Sequence, residues 1–339
     1  MDRNMLDTGW ENVLVLQGTA IAGRAWDDEE MLEWTRLWLQ PHKDAGCKEE
    51  DVFLLQHESD MKGVYLNDYC GNWGFPLVAV PMMEQSVDTD LRAMVVRVAE
   101  HILTRACRIC DDVIAHGGNP YARRSVWVDT LYYTSSVLAE AHLLTGDLRY
   151  ATEAIRQAQL HTKFLRDAQT GLFFHDVEPE TGRGTSWFWA RGNGWVILAL
   201  ADTLRRCPAS LPGWRELLET YRSIATGLLR LQQACGLWRI VPESPEAHLE
   251  TSGSAMIAAG LAIGVGEEWL EPTVAAPVLR AVQELVTWIR PGDGALMGAQ
   301  RPAGNGGWES HKLSVMDECS YATGLFLRLL GESEHYQLL

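Results

Sequence analysis

The residues best suited to hold a charged ligand lie in one stretch, Ser186-Trp-Phe-Trp-Ala-Arg-Gly-Asn-Gly-Trp195. Arg191 and Trp195 are four apart, so on a helix they share a face. A guanidinium beside an indole, with Trp187 and Trp189 just upstream, suits a flat ligand that carries a carboxylate. Gly192 and Gly194 lower helix propensity just where a helix should begin, and residues that small let another group come close to the backbone. The following run, Val196 to Leu204, has the apolar content and freedom from proline of a helix.

The elements that must position this stretch follow from spacing along the chain. Helices are expected over Glu11–Ala25 and Asp28–Leu39, the second stopping before Pro41, and then over Thr89–Ala115, Val126–Leu144 and Arg149–Leu165. Further helices are expected over Trp214–Gln233, Thr251–Ile263, Val274–Ile289 and Val315–Leu330. Strand signals are few and short, with Val52–Gln56 a short strand or turn and Thr170–Asp176 a hairpin-like loop. Helices come in pairs, and Gly-Asn-Trp-Gly, Gly-Leu-Phe-Phe, Gly-Leu-Trp and Gly-Gly-Trp recur in alternate loops. One such loop per pair would line one end of a closed ring, and an open helical solenoid is the alternative arrangement. A single all-α domain over residues 1–339 is expected.

Bulk properties narrow the function. The chain has 339 residues, 47% hydrophobic and 22% charged, which is ordinary for a soluble enzyme. A net charge of −16 argues against nucleic acid and anionic membrane as partners. No apolar run approaches the roughly 20 residues of a membrane helix, and no secretory signal is visible. Seven cysteines fit free thiols in a reducing compartment, and the cytoplasm is the expected location. Cys107-Arg-Ile-Cys110, flanked by His101 and His116, falls inside an apparent helical pattern, and no second pair follows at zinc spacing, so metal or redox use is not expected.

Trp189-Ala-Arg-Gly-Asn-Gly-Trp195, continuing Leu198-Ala-Leu-Ala-Asp202, resembles the signature of the unsaturated rhamnogalacturonyl hydrolases, glycoside hydrolase family 105. Trp127-Val-Asp-Thr-Leu-Tyr132, Gly171-Leu-Phe-Phe-His175, Glu250-Thr-Ser-Gly-Ser-Ala-Met256 and Tyr321-Ala-Thr-Gly-Leu-Phe326 resemble other family stretches, in the same order. The resemblance implies an (α/α)6 barrel with its active site where the inner helices begin. It implies removal of a Δ4,5-unsaturated uronic acid from the non-reducing end of lyase-generated oligosaccharides, with no metal and no organic cofactor.

By the same resemblance Asp129 is the proton donor and also activates water. A helix start would lower its pKa, and burial among Trp127, Tyr132 and Tyr133 would raise it. Asp68, in Asp68-Tyr-Cys-Gly-Asn72, is expected as the second carboxylate, although its spacing departs from the family pattern. Arg191 is expected to pair with the uronate carboxylate or neighbouring hydroxyls, and Trp195 to pack against a sugar ring. His175 matches the family's binding histidine, and Trp127 and Trp189 are expected to line the substrate. The loop containing Trp308-Glu-Ser-His311-Lys312 could cover the site, and Glu58 could line it. A conventional inverting glycosidase using Asp129 and Asp68 around a water, or a carbohydrate-binding protein without catalysis, are the competing readings. Which sugar follows the uronate, and the oligomeric state, are left open by the sequence.

Overall fold

The computed structural model describes residues 8–49, 62–83, 86–301, 314 and 316–339. Val52–Gln56, His57, Glu58 and the stretch Trp308 to Lys312 lie outside the described residues.

Six helices form an inner ring among those residues. They are α1 (Trp10–Ala25), α3 (Pro76–Met83), α5 (residues 128–145), α7 (Ala190–Arg206), α9 (Thr251–Gly266) and α11 (Ser320–His335). Each packs on the next around the ring, and α11 returns to pack extensively on α1. Between them run the outer helices α2 (Glu29–Ala45), α4 (Thr89–Thr104), α6 (Leu148–Leu165), α8 (Trp214–Leu231) and α10 (Ala275–Thr287). The ring is therefore closed, an (α/α)6 barrel rather than an open solenoid. No described helix is long and apolar enough to cross a membrane.

Burial patterns explain which helices lie inside. In α9 every residue from Thr251 to Gly264 is buried, and in α7 every residue from Ala190 to Leu204. A helix buried all round belongs in a core. The outer α8 instead buries a stripe at helical spacing, with Leu217, Tyr221, Ile224 and Leu228 inward. Inner helices alternate with returning outer ones, so the inner helices all begin at the same end. Short β-ladders tie the loops there, pairing Val126–Trp127 with Asp176–Glu178, Trp238–Arg239 with Leu249–Glu250, and Ala299–Gln300 with Met316–Asp317.

The first and last helices meet through glycine. A Cβ on Gly18 would lie 1.8 Å from the Gly324 carbonyl oxygen, and one on Gly324 would lie 2.4 Å from Val15 Cα. Both obstacles are backbone, so neither moves without separating the helices that close the ring. Gly18→Ala is expected to destabilise the protein by about 3 kcal/mol, the upper range for overpacking, as read by urea unfolding.

Several elements depart from the sequence expectations. Helix α2 does not stop before Pro41 but runs through it to Ala45, where Gly46 takes φ +67°. Proline removes one hydrogen bond, while Trp38, Leu39 and His42 stay buried on the continuing face. Helix α4 ends at Thr104, not near Ala115. The Arg108 guanidinium donates to the carbonyls of Ile102 and Leu103 and so satisfies the helix end. The chain then turns back through Asp111 and Asp112, both at positive φ, as Arg108–Ile109 pairs with Val113–Ile114. Cys107 and Cys110 therefore lie in this hairpin region and not on an α-helix, Cys110 opening a 3-10 turn, and both are free thiols. Helix α5 begins two residues later than expected, after the strand Val126–Trp127, and contains a π-helical turn over Tyr132–Ser136.

Candidate active site

Asp129 lies in the first turn of α5, directly after the strand Val126–Trp127. That strand pairs with Asp176–Glu178, and the Val128 amide donates to the His175 carbonyl at 3.0 Å. This ladder brings two sequence-distant side chains together: His175 Nε2 lies 3.3 Å from Asp129 Oδ2. Oδ2 is buried and has no well-aligned hydrogen bond, and Oδ1 bonds to no described residue. Such loose geometry is common in a site that tightens only around substrate.

Rings wall the site. The His116 imidazole stacks on Trp127 at 4.1 Å with the planes 7° apart, and Tyr69 meets His116 edge-on at 5.5 Å. Trp127 meets His175 at 5.0 Å, and His175 meets Trp189 at 4.8 Å. The Arg191 guanidinium then lies 4.5 Å from the Trp189 ring and 5.3 Å from that of Tyr321. The series runs from the Tyr69 loop through the starts of α5, α7 and α11.

Opposing effects act on Asp129. Burial pushes its carboxyl up, but the His175 contact and the nearby Arg191 guanidinium outweigh it, so the carboxyl is held below its ordinary value. His116 is pushed down to about 4 by burial, despite Asp129, and is neutral at pH 7.

Arg191 is 2% exposed, in the first turn of α7. Its Nη1 donates to Ser252 Oγ, the Gln300 carbonyl and the Tyr321 hydroxyl. Its Nε and Nη2 have no acceptor among the described residues. Glu250, fully buried at the cap of α9, lies 3.9 Å away and offsets part of the charge. Arg191→Lys keeps a cation but loses the fork. It is expected to raise KM about 10- to 100-fold, the cost of a charge-assisted hydrogen bond, with a smaller change in kcat.

The structure does not bring all the expected residues to this cluster. The Asp68 carboxylate pairs with Arg123, contacts neither Asp129 nor His175, and acts electrostatically on His101 and Cys107. Its location in the loop before Cys70 turns the side chain away, while Cys70 itself reaches the site. Trp195 is 1% exposed and packed among Trp10, Tyr132 and Tyr133, so its ring forms the floor beneath the site and presents no open face for a sugar. The small residues at 192 and 194 serve packing: a Cβ on Gly194 would lie 2.7 Å from Met256 Cβ on α9. Trp127 and Trp189 lie in the ring cluster around His175, with their indole nitrogens bonded to Ser125 Oγ and Gln300 Oε1.

Sequence reasoning gave His116, Thr130, Glu250 and Gln300 no role in the site. His116 stood thirteen positions before Asp129 in a loop, and nothing in its spacing signalled the stack on Trp127. Glu250 was visible as part of a matching stretch, but its pairing with Arg191 crosses 59 positions. A cavity of about 650 Å³ lies elsewhere, at the opposite end of the barrel beside Arg24, Glu140, Arg205 and Glu332. It holds none of the groups just described, and the chemistry is read from the Asp129 cluster instead.

A carboxylate flanked by imidazoles, with an aromatic wall and a buried guanidinium at the mouth of an (α/α)6 barrel, has the make-up of a glycoside hydrolase site. The family model for Glycosyl Hydrolase Family 88 matches residues 2–336, and the chain belongs to that family. It is 24% identical over 282 residues to the unsaturated rhamnogalacturonyl hydrolase YesR of Bacillus subtilis, covering 81% of this chain and 76% of that protein. It is 27% identical over 214 residues to an unsaturated 3S-rhamnoglycuronyl hydrolase of Alteromonas, covering 62% of this chain and 51% of that one. The crystal structure of a possible GH105 member from Klebsiella pneumoniae superposes with a TM-score of 0.85 at 22% identity, covering 96% of this chain and 82% of the other. The resemblance drawn from the motifs agrees with these findings.

Proposed function

We propose that this single catalytic domain removes a Δ4,5-unsaturated uronic acid, galacturonyl or glucuronyl, from the non-reducing end of oligosaccharides released by a polysaccharide lyase. Rhamnogalacturonan fragments are the favoured substrates. The observation that carries the reading is Asp129, one oxygen against His175 and the other without a partner among the described residues, on the same ring-lined cluster as Arg191. The names of the relatives from Bacillus subtilis and Alteromonas support the substrate class.

The substrate is a vinyl ether, because its C4=C5 double bond adjoins the ring oxygen. Asp129 in its acid form transfers a proton to C4, and the ring oxygen stabilises the positive charge left at C5. Water adds at C5 and gives its proton to the Asp129 carboxylate, which restores the acid. The resulting hemiketal opens and expels the neighbouring sugar. Arg191 holds the uronate carboxylate through Nε and Nη2. His175 orients Asp129 and stabilises its anion between the two proton transfers. Trp127 and Trp189 exclude water from the faces of the ring.

The seven cysteines are all free, which supports a reducing compartment, and we take this to be the cytoplasm. The direct test is ultraviolet absorbance of lyase-digested rhamnogalacturonan. Loss of the conjugated double bond with enzyme, together with release of the adjoining sugar, is the expected result. Cleavage of saturated glycosides with the unsaturated products untouched would overturn the reading in favour of an inverting glycosidase.

A further inference from the structure

We propose that Cys70 and Thr130 are positioning residues that hold His116 as the neutral tautomer with its proton on Nε2, and that this N–H donates to an oxygen of the bound sugar beside Asp129. The proposal rests on the functional reading above for the identity of that oxygen's owner, an acidic unsaturated sugar, and on geometry alone for the tautomer.

Three buried groups meet at one ring nitrogen. His116 Nδ1 lies 3.0 Å from Thr130 Oγ1 and 3.3 Å from Cys70 Sγ, and Cys70 Sγ lies 3.8 Å from Thr130 Oγ1. Cys70 and Thr130 are fully buried, so water does not satisfy them. Counting donors then selects the tautomer. With Nδ1 unprotonated, the Thr130 hydroxyl donates to Nδ1 and the Cys70 thiol donates to Thr130 Oγ1, so every donor has an acceptor. With a proton on Nδ1, that N–H and the Cys70 thiol take the two lone pairs of Thr130 Oγ1, and the Thr130 hydroxyl is left with only the weakly accepting thiol sulfur. A buried donor without a partner is costly. The bond made by one ring nitrogen thus fixes the state of the other.

The backbone holds the three elements in register. The Cys70 amide donates to the His116 carbonyl, and the His116 amide to the Ser125 carbonyl. Gly117, at φ +79°, lets the Asp68 carbonyl pass where a Cβ would be 1.5 Å from it. Thr130 follows Asp129 on α5, so the group that sets the tautomer is rigidly joined to the catalytic carboxylate. His116 Nε2 bonds to no described residue, and its ring lies flat on Trp127, whose other neighbour is His175.

A neutral donor has a specific use here. An imidazolium beside Asp129 would compete with it as the proton source and would keep it ionised when the acid form is required. A neutral N–H holds a substrate oxygen while leaving the proton chemistry to Asp129.

The test uses Cys70→Ala, Thr130→Val, the double variant Cys70→Ala/Thr130→Val, and Cys70→Ser. Nitrogen-15 resonances of the His116 ring report the tautomer in the free enzyme, without substrate. Wild type is expected to show a protonated Nε2. Each single variant retains one donor to Nδ1, so it should keep that tautomer and stay within about threefold of wild-type kcat/KM. The double variant leaves Nδ1 with neither donor nor acceptor, so the preference for a proton on Nε2 should weaken to a mixture of tautomers, with a loss of up to about tenfold in kcat/KM and its melting temperature little changed. Cys70→Ser in the Thr130→Val background should restore both tautomer and rate, which simple loss of packing would not. A protonated Nδ1 in wild type, or wild-type kinetics in a double variant whose tautomer has shifted, would overturn the proposal. Wild-type enzyme inactive on every unsaturated uronide would overturn the functional reading instead, and the resonances would still decide the tautomer.

Discussion

Asp129→Asn is expected to lower kcat by about 10²- to 10⁴-fold, the usual share of a general acid–base group, while folding and binding of the oligosaccharide are largely kept. The amide fills the same volume against His175 and Trp127 but has no proton to give C4 and cannot receive one from water. Single-turnover ultraviolet assays with binding measured in parallel separate the two effects. Activity near wild type in this variant would remove Asp129 from the mechanism.

The pH dependence follows from the same group. In the free enzyme the Asp129 carboxyl lies below its ordinary value, because the His175 contact and the Arg191 guanidinium outweigh burial. The acid form is therefore scarce before binding. A uronate carboxylate entering beside Arg191 screens that guanidinium and adds a negative field, and both raise the Asp129 pKa. Substrate binding should then take up a proton, and kcat should hold to a higher pH than kcat/KM. Calorimetric binding in buffers of different ionisation enthalpy, with Asp129→Asn as the control, measures the uptake directly.

The largest expected loss of stability comes from a site that does no chemistry. Arg328, 1% exposed, donates to Asp202 Oδ1 at 2.7 Å and to the Tyr132 hydroxyl at 2.6 Å. Arg205 bridges Asp202 and Glu332, completing a buried network between α7 and α11. Arg328→Met is expected to cost about 3–5 kcal/mol, since removing one partner leaves buried carboxylates under-compensated. Burial alone would raise Asp202 and Glu332, but Arg328 and Arg205 hold both below their ordinary values. Carboxyls depressed in the fold contribute stability that is present above their unfolded pKa values, about 4, and is lost as pH falls through the folded ones. In Arg328→Met burial gains weight, the folded pKa values rise, and acid unfolding should begin at a higher pH. Urea titrations across pH 3 to 7 read both effects, and adding Asp202→Asn should recover part of the loss.

Much of the barrel was legible because its signals are local. Apolar spacing located nearly every helix, and complete apolarity in Ala255 to Ile263 marks an inner helix as surely as the stripe in α8 marks an outer one. Where local pattern misled, a long-range partner had overridden it. The apolar rhythm of α4 continues past Thr104, but Arg108 caps the helix and Asp111 and Asp112 reverse the chain. Pro41 is a sound stop signal that buried neighbours outweigh.

The sequence by itself determined the class of chemistry. It contained the order of motifs around Asp129, His175 and Arg191, and those residue types can protonate a vinyl ether and hold a carboxylate. The tertiary structure decided which groups meet. It paired the Asp129 strand with the His175 strand, placed Glu250 beside Arg191, buried Trp195 beneath the site and gave Asp68 to Arg123. It also put His116 on Trp127, with Cys70 and Thr130 at its back. Helix periodicity is written within a few residues, whereas these contacts depend on ring closure and loop register, which no local spacing encodes.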